Sequence, residues 1–304
     1  MSHHHHHAHP APVQGSFHRA FALGVTLNVI FVLVEAGYGF WAQSLALLAD
    51  AGHNLSDVLG LLLAWGAAWL AERPPTPRRS YGYRRVTILA SLASAMLLLA
   101  ALGAITLEAL ERFSNPQPVA GWVVIWVAAI GVVINTATAL LFIKGQKHDL
   151  NLRGAFLHMA ADAAVSFGVV IAGVAMLQGA WWWLDPATSL VIVALVFVAT
   201  WGLLKESINL VIDSVPADIN PNEVATFLLD LPGVRDFHDL HIWAMSTTDV
   251  ALTVHLSMPD GPGDDDFLHH VSHALAERFG ITHATIQIER LPPEQCPLAA
   301  PGSL

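Results

Sequence analysis

The chain has 304 residues, 54% hydrophobic and only 12% charged, and its mean hydropathy is +0.53. Soluble domains carry about 25% charged residues, so half that share on a chain this long excludes an ordinary water-soluble enzyme and points to a bilayer protein. The charge is also unevenly placed: residues 1–213 hold 11 acidic and 11 basic groups, whereas residues 214–304 hold 13 acidic and 3 basic and carry the whole formal −10.

Residues 1–16 read as a disordered, His-rich N-terminus. Its run of five histidines fits a purification remnant and a metal-collecting tail equally well. Six apolar stretches follow, at 17–40, 45–71, 85–110, 119–143, 153–177 and 187–211. Each is long enough to cross about 30 Å of hydrocarbon, which takes roughly 20 residues as helix. The first is too long for a signal peptide and lacks a small-residue cleavage site. Pro74, Pro75 and Pro77, then Pro116 and Pro118, interrupt the connections, and Asp185-Pro186 reads as an N-cap with proline at the first helical position. Arg73, Arg78, Arg79, Arg84 and Arg85 follow the second span, and Lys144, Lys147 and Arg153 follow the fourth, while the alternate loops hold Arg112 alone. The positive-inside rule then puts both termini and the acidic tail in the cytoplasm. The lone Cys296 fits that reducing side.

The tail changes period. Residues 220–231 read as a capped amphipathic helix, 234–243 and 249–258 as strands, 264–279 as a helix behind an acidic start, and 282–290 as a third strand. The expected fold class is an α-helical membrane protein: six transmembrane helices over 17–213, a small cytosolic α+β domain (αββαβ) over 214–291, and a disordered tail over 292–304.

Ionisable groups inside spanning helices are costly, about 2.5–3.5 kcal/mol each on insertion scales, and so each is a functional hypothesis. The second span contains His53 and Asp57, and the fifth contains His158 and Asp162. Both pairs are His-x-x-x-Asp, and positions i and i+4 share one helix face. Two such helices facing each other offer two imidazoles and two carboxylates, a tetrahedral set that suits Zn²⁺ and balances its charge. The competing reading is a pair of structural polar contacts between helices. Asp50 lies on a nearby face as an outer partner or part of an access route. Glu35, Asn28 and Asn135 either line the same cavity or bond between helices. A membrane metallohydrolase would need an HExxH-type glutamate, and a di-iron oxidase more histidine within the spans; neither is present in the sequence. No nucleic-acid partner is expected.

The string Leu47 to Asp57 (LLADAGHNLSD), His158-x-x-x-Asp162, Tyr81-Gly82-Tyr83-Arg84-Arg85 and His238-Asp239-Leu240-His241-Ile242-Trp243 resemble the cation diffusion facilitator family in its zinc-exporting branch. The resemblance spans residues 17 to about 290. It implies a homodimeric, proton-coupled exporter of divalent metal in the bilayer, with Zn²⁺ as cargo, H⁺ as coupling ion and a metallochaperone-like cytosolic domain. A multi-pass protein of the bacterial inner membrane is the matching location. By the motif match, His53, Asp57, His158 and Asp162 correspond to the transport site, and His53 in place of a carboxylate leans toward zinc over cadmium or manganese. In the tail the matching positions are His238, His255 and Glu289, which His283, on the strand face of Glu289, joins as a further candidate. His241 alternates away from His238. His269, His270 and His273 read as a solvated helix face. Arg85 and Asp213 fall where the family pairs a cation and an acid near the cytoplasmic neck. Some members carry an Asp/His site between the second and third spans; here that loop is basic and without His. A metal-gated channel or a membrane zinc sensor on the same site is the alternative.

Overall fold

The computed structural model describes residues 14–115, 117–142, 150–179, 181–261 and 263–290; within these, side chains are described except at 14–25, 27, 28, 56, 57, 60, 61, 64, 65, 68, 141, 142 and 150–155. The expectations for the His-rich N-terminus, the final tail with Cys296, Lys144 and Lys147, and the side chains of Asn28, Asp57 and Arg153 lie outside what is described.

Six long helices come first: α1 (Gln14–Trp41), α2 (Leu45–Ala71), α3 (Val86–Ser114), α4 (Gly121–Phe142), α5 (Leu150–Gly179) and α6 (Leu184–Val211). Among the described residues, four stretches are long and apolar enough to cross a membrane: α3, Gly121–Leu140 in α4, Phe156–Gly179 in α5, and α6. Their outward faces carry Leu, Val, Phe and Trp, such as Leu107, Trp126, Phe167 and Val198, as lipid-facing helices require. The C-terminal part is α7 (Pro221–Leu229), β1 (Asp236–Ala244), β2 (Val250–Ser257), α8 (Asp265–Phe279) and β3 (Ile281–Glu289). The chain is thus a helical membrane protein with a small C-terminal α/β domain.

The chain divides into two compact units, residues 1–58 with 98–197 and residues 59–97 with 198–304. In the first, α4 packs along α5 and also meets α1. Small residues allow the approach, as is usual where helices cannot rely on a hydrophobic effect between them. A Cβ on Gly131 would sit 2.8 Å from the Phe31 ring and 3.2 Å from Ser166 Oγ, and one on Gly173 would sit 2.8 Å from Ile125. The core here is Leu47, Leu102, Val124, Val169, Met176 and Ile192 with alanines between them. Asp185 lies within the first turn of α6, which begins at Leu184, so it is not the N-cap expected there; its carboxylate caps α2 instead, with Ser44 Oγ donating to it at 2.5 Å and the Leu45 and Ala46 amides at 2.6 and 3.3 Å. A buried carboxylate there meets the positive end of the α2 dipole. Arg112, buried, donates to the Gln43 carbonyl and pairs with Glu108 at 3.1 Å.

In the second unit the sheet order is β1-β2-β3, with β1 antiparallel and β3 parallel to the central β2. Leu252, Val254 and Leu256 of β2 pack against Val224 and Leu228 of α7 and Val271 and Leu275 of α8, so both helices cover one sheet face. Asn220 caps α7 ahead of Pro221, and Asp264 caps α8 by accepting from the Phe267 amide at 2.9 Å. α8 ends at Gly280 with φ +69°, the left-handed turn that lets β3 start at once. The five tail elements therefore fall within two residues of their expected bounds.

Candidate metal centres

The His-x-x-x-Asp spacing places His158 and Asp162 on one face of α5, and α2 brings His53 to the same point. His53 Nε2 lies 3.3 Å from Asp162 Oδ1, His158 Nε2 lies 3.6 Å from Asp162 Oδ2, and the two imidazole centroids are 6.0 Å apart at 78°. Asp162 is 1% exposed, so one buried carboxylate stands between two imidazoles from different helices. Asp57 follows His53 by one turn of α2, although its side chain is outside the described set.

A second buried layer adjoins this group. Asp50 Oδ2 accepts from Ser166 Oγ at 2.8 Å, and Asn54 Nδ2 donates to Glu35 Oε2 at 3.5 Å. Glu35, Asp50, Asn54 and Asn135 are all buried. Among the described residues, Glu35 Oε1, Asp50 Oδ1, Asn54 Oδ1 and both polar atoms of the Asn135 amide find no hydrogen-bond partner. The Asn54–Glu35 bond joins α2 to α1 and the Ser166–Asp50 bond joins α5 to α2, so both run between helices. Asn135 does not bond between helices among the described residues.

The second group lies on the sheet face opposite α7 and α8. His238 and His255 are direct cross-strand partners, and β3 brings Glu289 beside them, level with Ser257. His255 Nδ1 to Glu289 Oε1 is 2.9 Å, His238 Nε2 to Glu289 Oε2 is 3.4 Å, and the imidazole centroids are 5.1 Å apart. One ligand atom from each of the three residues lies within 4.8 Å of the others. Two imidazoles and a carboxylate fit a borderline divalent ion such as Zn²⁺.

His283 does not join them. It pairs with Ala251 at the far end of the β2–β3 ladder and stacks edge-on against Tyr81, with centroids 5.9 Å apart. Sharing a face with Glu289 is not enough, because six residues of strand span about 20 Å. His241 stays out of the three-residue group yet does not turn wholly away. The register breaks between His238 and His241, and His241 Nε2 meets Asp239 Oδ1 at 2.9 Å. A period-two pattern does not single out Asp239, because the bulge between His238 and His241 leaves no mark in it. His269, His270 and His273 are exposed, the last pairing with Glu277 at 3.4 Å on the helix surface. Arg85 and Asp213 do meet, Nη2 to Oδ1 at 2.6 Å, about half exposed on both sides. Nearby, Arg84 pairs with Asp249 at 3.3 Å, and Thr87 Oγ1 accepts from the Thr247 amide at 3.1 Å.

Histidine and aspartate gathered inside membrane helices, with a His/Glu group on a small α/β domain, define a membrane carrier of cations. The family model for the cation efflux transmembrane domain matches residues 22–211, and that for the cation efflux protein cytoplasmic domain matches 216–291. The chain belongs to the cation efflux family, a family of transporters and not of enzymes. Among its relatives, the cation efflux system protein CzcD of Alcaligenes sp. is 35% identical over 97% of this chain and 92% of its own length. The zinc transporter ZitB of Escherichia coli is 35% identical over 96% of this chain and 93% of its own length. The cadmium, cobalt and zinc/H(+)-K(+) antiporter of Bacillus subtilis is 33% identical over 95% and 92%. A solved structure, the metal-bound C-terminal domain of the CzcD transporter from Cuprividus metallidurans, is 40% identical and covers 23% of this chain and 99% of its own, with a TM-score of 0.22.

Proposed function

We propose that this protein exports divalent metal ions, Zn²⁺ foremost, from the cytoplasm in exchange for protons. The observation that carries the reading is Asp162, buried between the imidazoles of His53 and His158. With Asp57 one turn along from His53, the set is two neutral and two anionic ligands, which a divalent cation leaves uncharged. Its relatives are named for zinc, cadmium and cobalt, so the substrate class extends to those ions.

Metal ligands must be deprotonated to bind, so protons and metal compete for the same atoms. Imidazole, with an ordinary pKa of about 6.5, makes that competition effective near neutral pH. Facing the cytoplasm, the deprotonated group takes the ion; facing out, protons displace it, in an alternating-access cycle. Moving two positive charges outward against 100 mV costs about 4.6 kcal/mol and one returning proton gives back about 2.3, so an outward-acid pH gradient or more than one proton supplies the rest. Asp50 and Glu35 line the approach to the group.

The working assembly is a homodimer in the bacterial inner membrane, with a six-helix domain over 17–213 and a cytosolic domain over 214–291. Both termini face the cytoplasm. In the cytosolic domain His238, His255 and Glu289 hold a regulatory ion. The test is zinc uptake into proteoliposomes with an imposed pH gradient. Uptake that follows the gradient and is lost in His158→Ala supports the exporter. Uptake indifferent to the gradient favours a metal-gated channel, and zinc binding without any flux favours a membrane sensor.

A further inference from the structure

We propose that Asp239 is a positioning residue for the cytosolic metal group, holding the His255 imidazole in the tautomer that offers Nδ1 to the ion. This rests on the reading above that His238, His255 and Glu289 bind metal.

A neutral imidazole has one N–H and one lone pair. The His255 imidazole is flanked by a carboxylate on each nitrogen: Glu289 Oε1 lies 2.9 Å from Nδ1, and Asp239 Oδ2 lies 3.6 Å from Nε2. One proton cannot serve both. His238 and Glu289 gather on the Nδ1 side, where an ion replaces a proton. The proton then belongs on Nε2, facing Asp239, and a slight turn of the imidazole brings 3.6 Å into hydrogen-bond range. Carboxylate–histidine–metal arrangements of this kind fix the imidazole and raise its basicity.

The backbone is shaped to put Asp239 there. Between the pairs His238–His255 and His241–Thr253, β1 carries two residues against one on β2, which is a β-bulge. Asp239 adopts φ +55°, a left-handed conformation that Asp accepts more readily than most residues. In a regular strand Asp239 would point to the face opposite His238; the bulge turns its carboxylate toward His255 instead. Its other oxygen is held by His241 Nε2 at 2.9 Å, which keeps the carboxylate from swinging into solvent. The chain His241–Asp239–His255–Glu289–His238 is therefore one ordered series, with the ion's place at its inner end.

The test is zinc affinity of the full-length protein in detergent, by chelator competition, in a His158→Ala/Asp162→Ala background that silences the membrane group. Asp239→Gly suits the positive φ at least as well as Asp but removes the acceptor. Asp239→Asn keeps both a tolerated backbone and an acceptor oxygen. The expected result is a loss of about 10–100-fold in affinity for the glycine variant, with most of it restored in the asparagine variant. If Asp239 served only the bulge, glycine would bind as tightly as the parent, and that outcome overturns the proposal, as does equal loss in both variants. His238→Ala and Glu289→Gln separate the two levels. If they leave the affinity unchanged, the metal reading of the group falls and Asp239's role with it. If they abolish binding while Asp239→Gly does not, only the positioning role falls.

Discussion

The two candidate metal groups are built from similar side chains, imidazoles and carboxylates, by opposite means. In the membrane group, His158 and Asp162 come from one helix at i and i+4, so local chain geometry makes half the group and one helix contact supplies His53. In the cytosolic group every member sits on a different strand, 34 residues separate His255 from Glu289, and register alone brings them together. Their surroundings differ as well. Asp162 is buried, with Asp50, Glu35 and Asn54 forming a polar layer beside it, while His53 and His158 around it are 17% and 43% exposed; His238, His255 and Glu289 lie on the sheet face opposite the helices, each at 12–14% side-chain exposure. On the proposed reading the first group carries the transported ion and the second senses it, and the difference in construction fits that division.

The largest effect that would break this division is at Asp162. Asp162→Ala removes the carboxylate that both imidazoles face, and zinc flux into proteoliposomes should fall at least about 100-fold, beyond the 10–100-fold typical of an outer partner. Substantial residual flux would mean the ion does not pass between His53 and His158. His238→Ala is the matched change on the cytosolic side. It should leave maximal flux near the parent's and raise the half-saturating zinc concentration by about 5–150-fold, the usual span of coupling between sites. If maximal flux collapsed instead, the cytosolic group would be part of the path rather than a sensor of it.

That difference in construction also governs what the sequence discloses. The meeting of His53, His158 and Asp162 can be anticipated because helix periodicity is written in the chain and because charge is so scarce in the spans. The tail elements are legible from alternation, with Leu252, Val254 and Leu256 marking the inner face of β2. Register is not written that way. His283 and Glu289 share a face by parity, but only the β2–β3 ladder shows that His283 lies beside Ala251, too far along to contribute. The bulge that recruits Asp239 and redirects His241 depends on a single extra residue, which a period-two pattern cannot reveal. Asp185 reads as the N-cap of α6, but α6 already begins at Leu184 and the carboxylate caps α2 instead, a contact across 140 residues that is a tertiary fact.

A smaller effect tests how the membrane helices hold the polar layer. Gly131→Ala would place a methyl group 2.8 Å from Phe31 and 3.2 Å from Ser166 Oγ, and Ser166 is the donor to Asp50. Overpacking of this kind costs about 1–3 kcal/mol. The variant should melt earlier in detergent, and zinc should recover less of that loss than it does in the parent, because the disturbed serine adjoins the binding group. A cytosolic cavity such as Leu252→Ala should cost about 2–5 kcal/mol in unfolding of the tail domain while leaving maximal flux unchanged.

The smallest expected effect is at the Arg85–Asp213 pair. Both side chains are about half exposed, so the 2.6 Å contact contributes no more than about 1 kcal/mol to stability after screening. Asp213 has φ +60°, and alanine there would add backbone strain unrelated to the charge. Asp213→Asn is the cleaner change, because asparagine tolerates that conformation and only the charge is lost. Its unfolding free energy should fall by less than about 1 kcal/mol, and the difference should shrink in high salt, where the Debye length is about 3 Å at 1 M. A double-mutant cycle with Arg85→Gln isolates the pair. Where the half-saturating zinc concentration shifts in Asp213→Asn while stability barely moves, the pair transmits the state of the cytosolic group to the membrane group. Where neither moves, it is a surface contact and the coupling runs elsewhere, through Arg84–Asp249 or the Thr87–Thr247 bond.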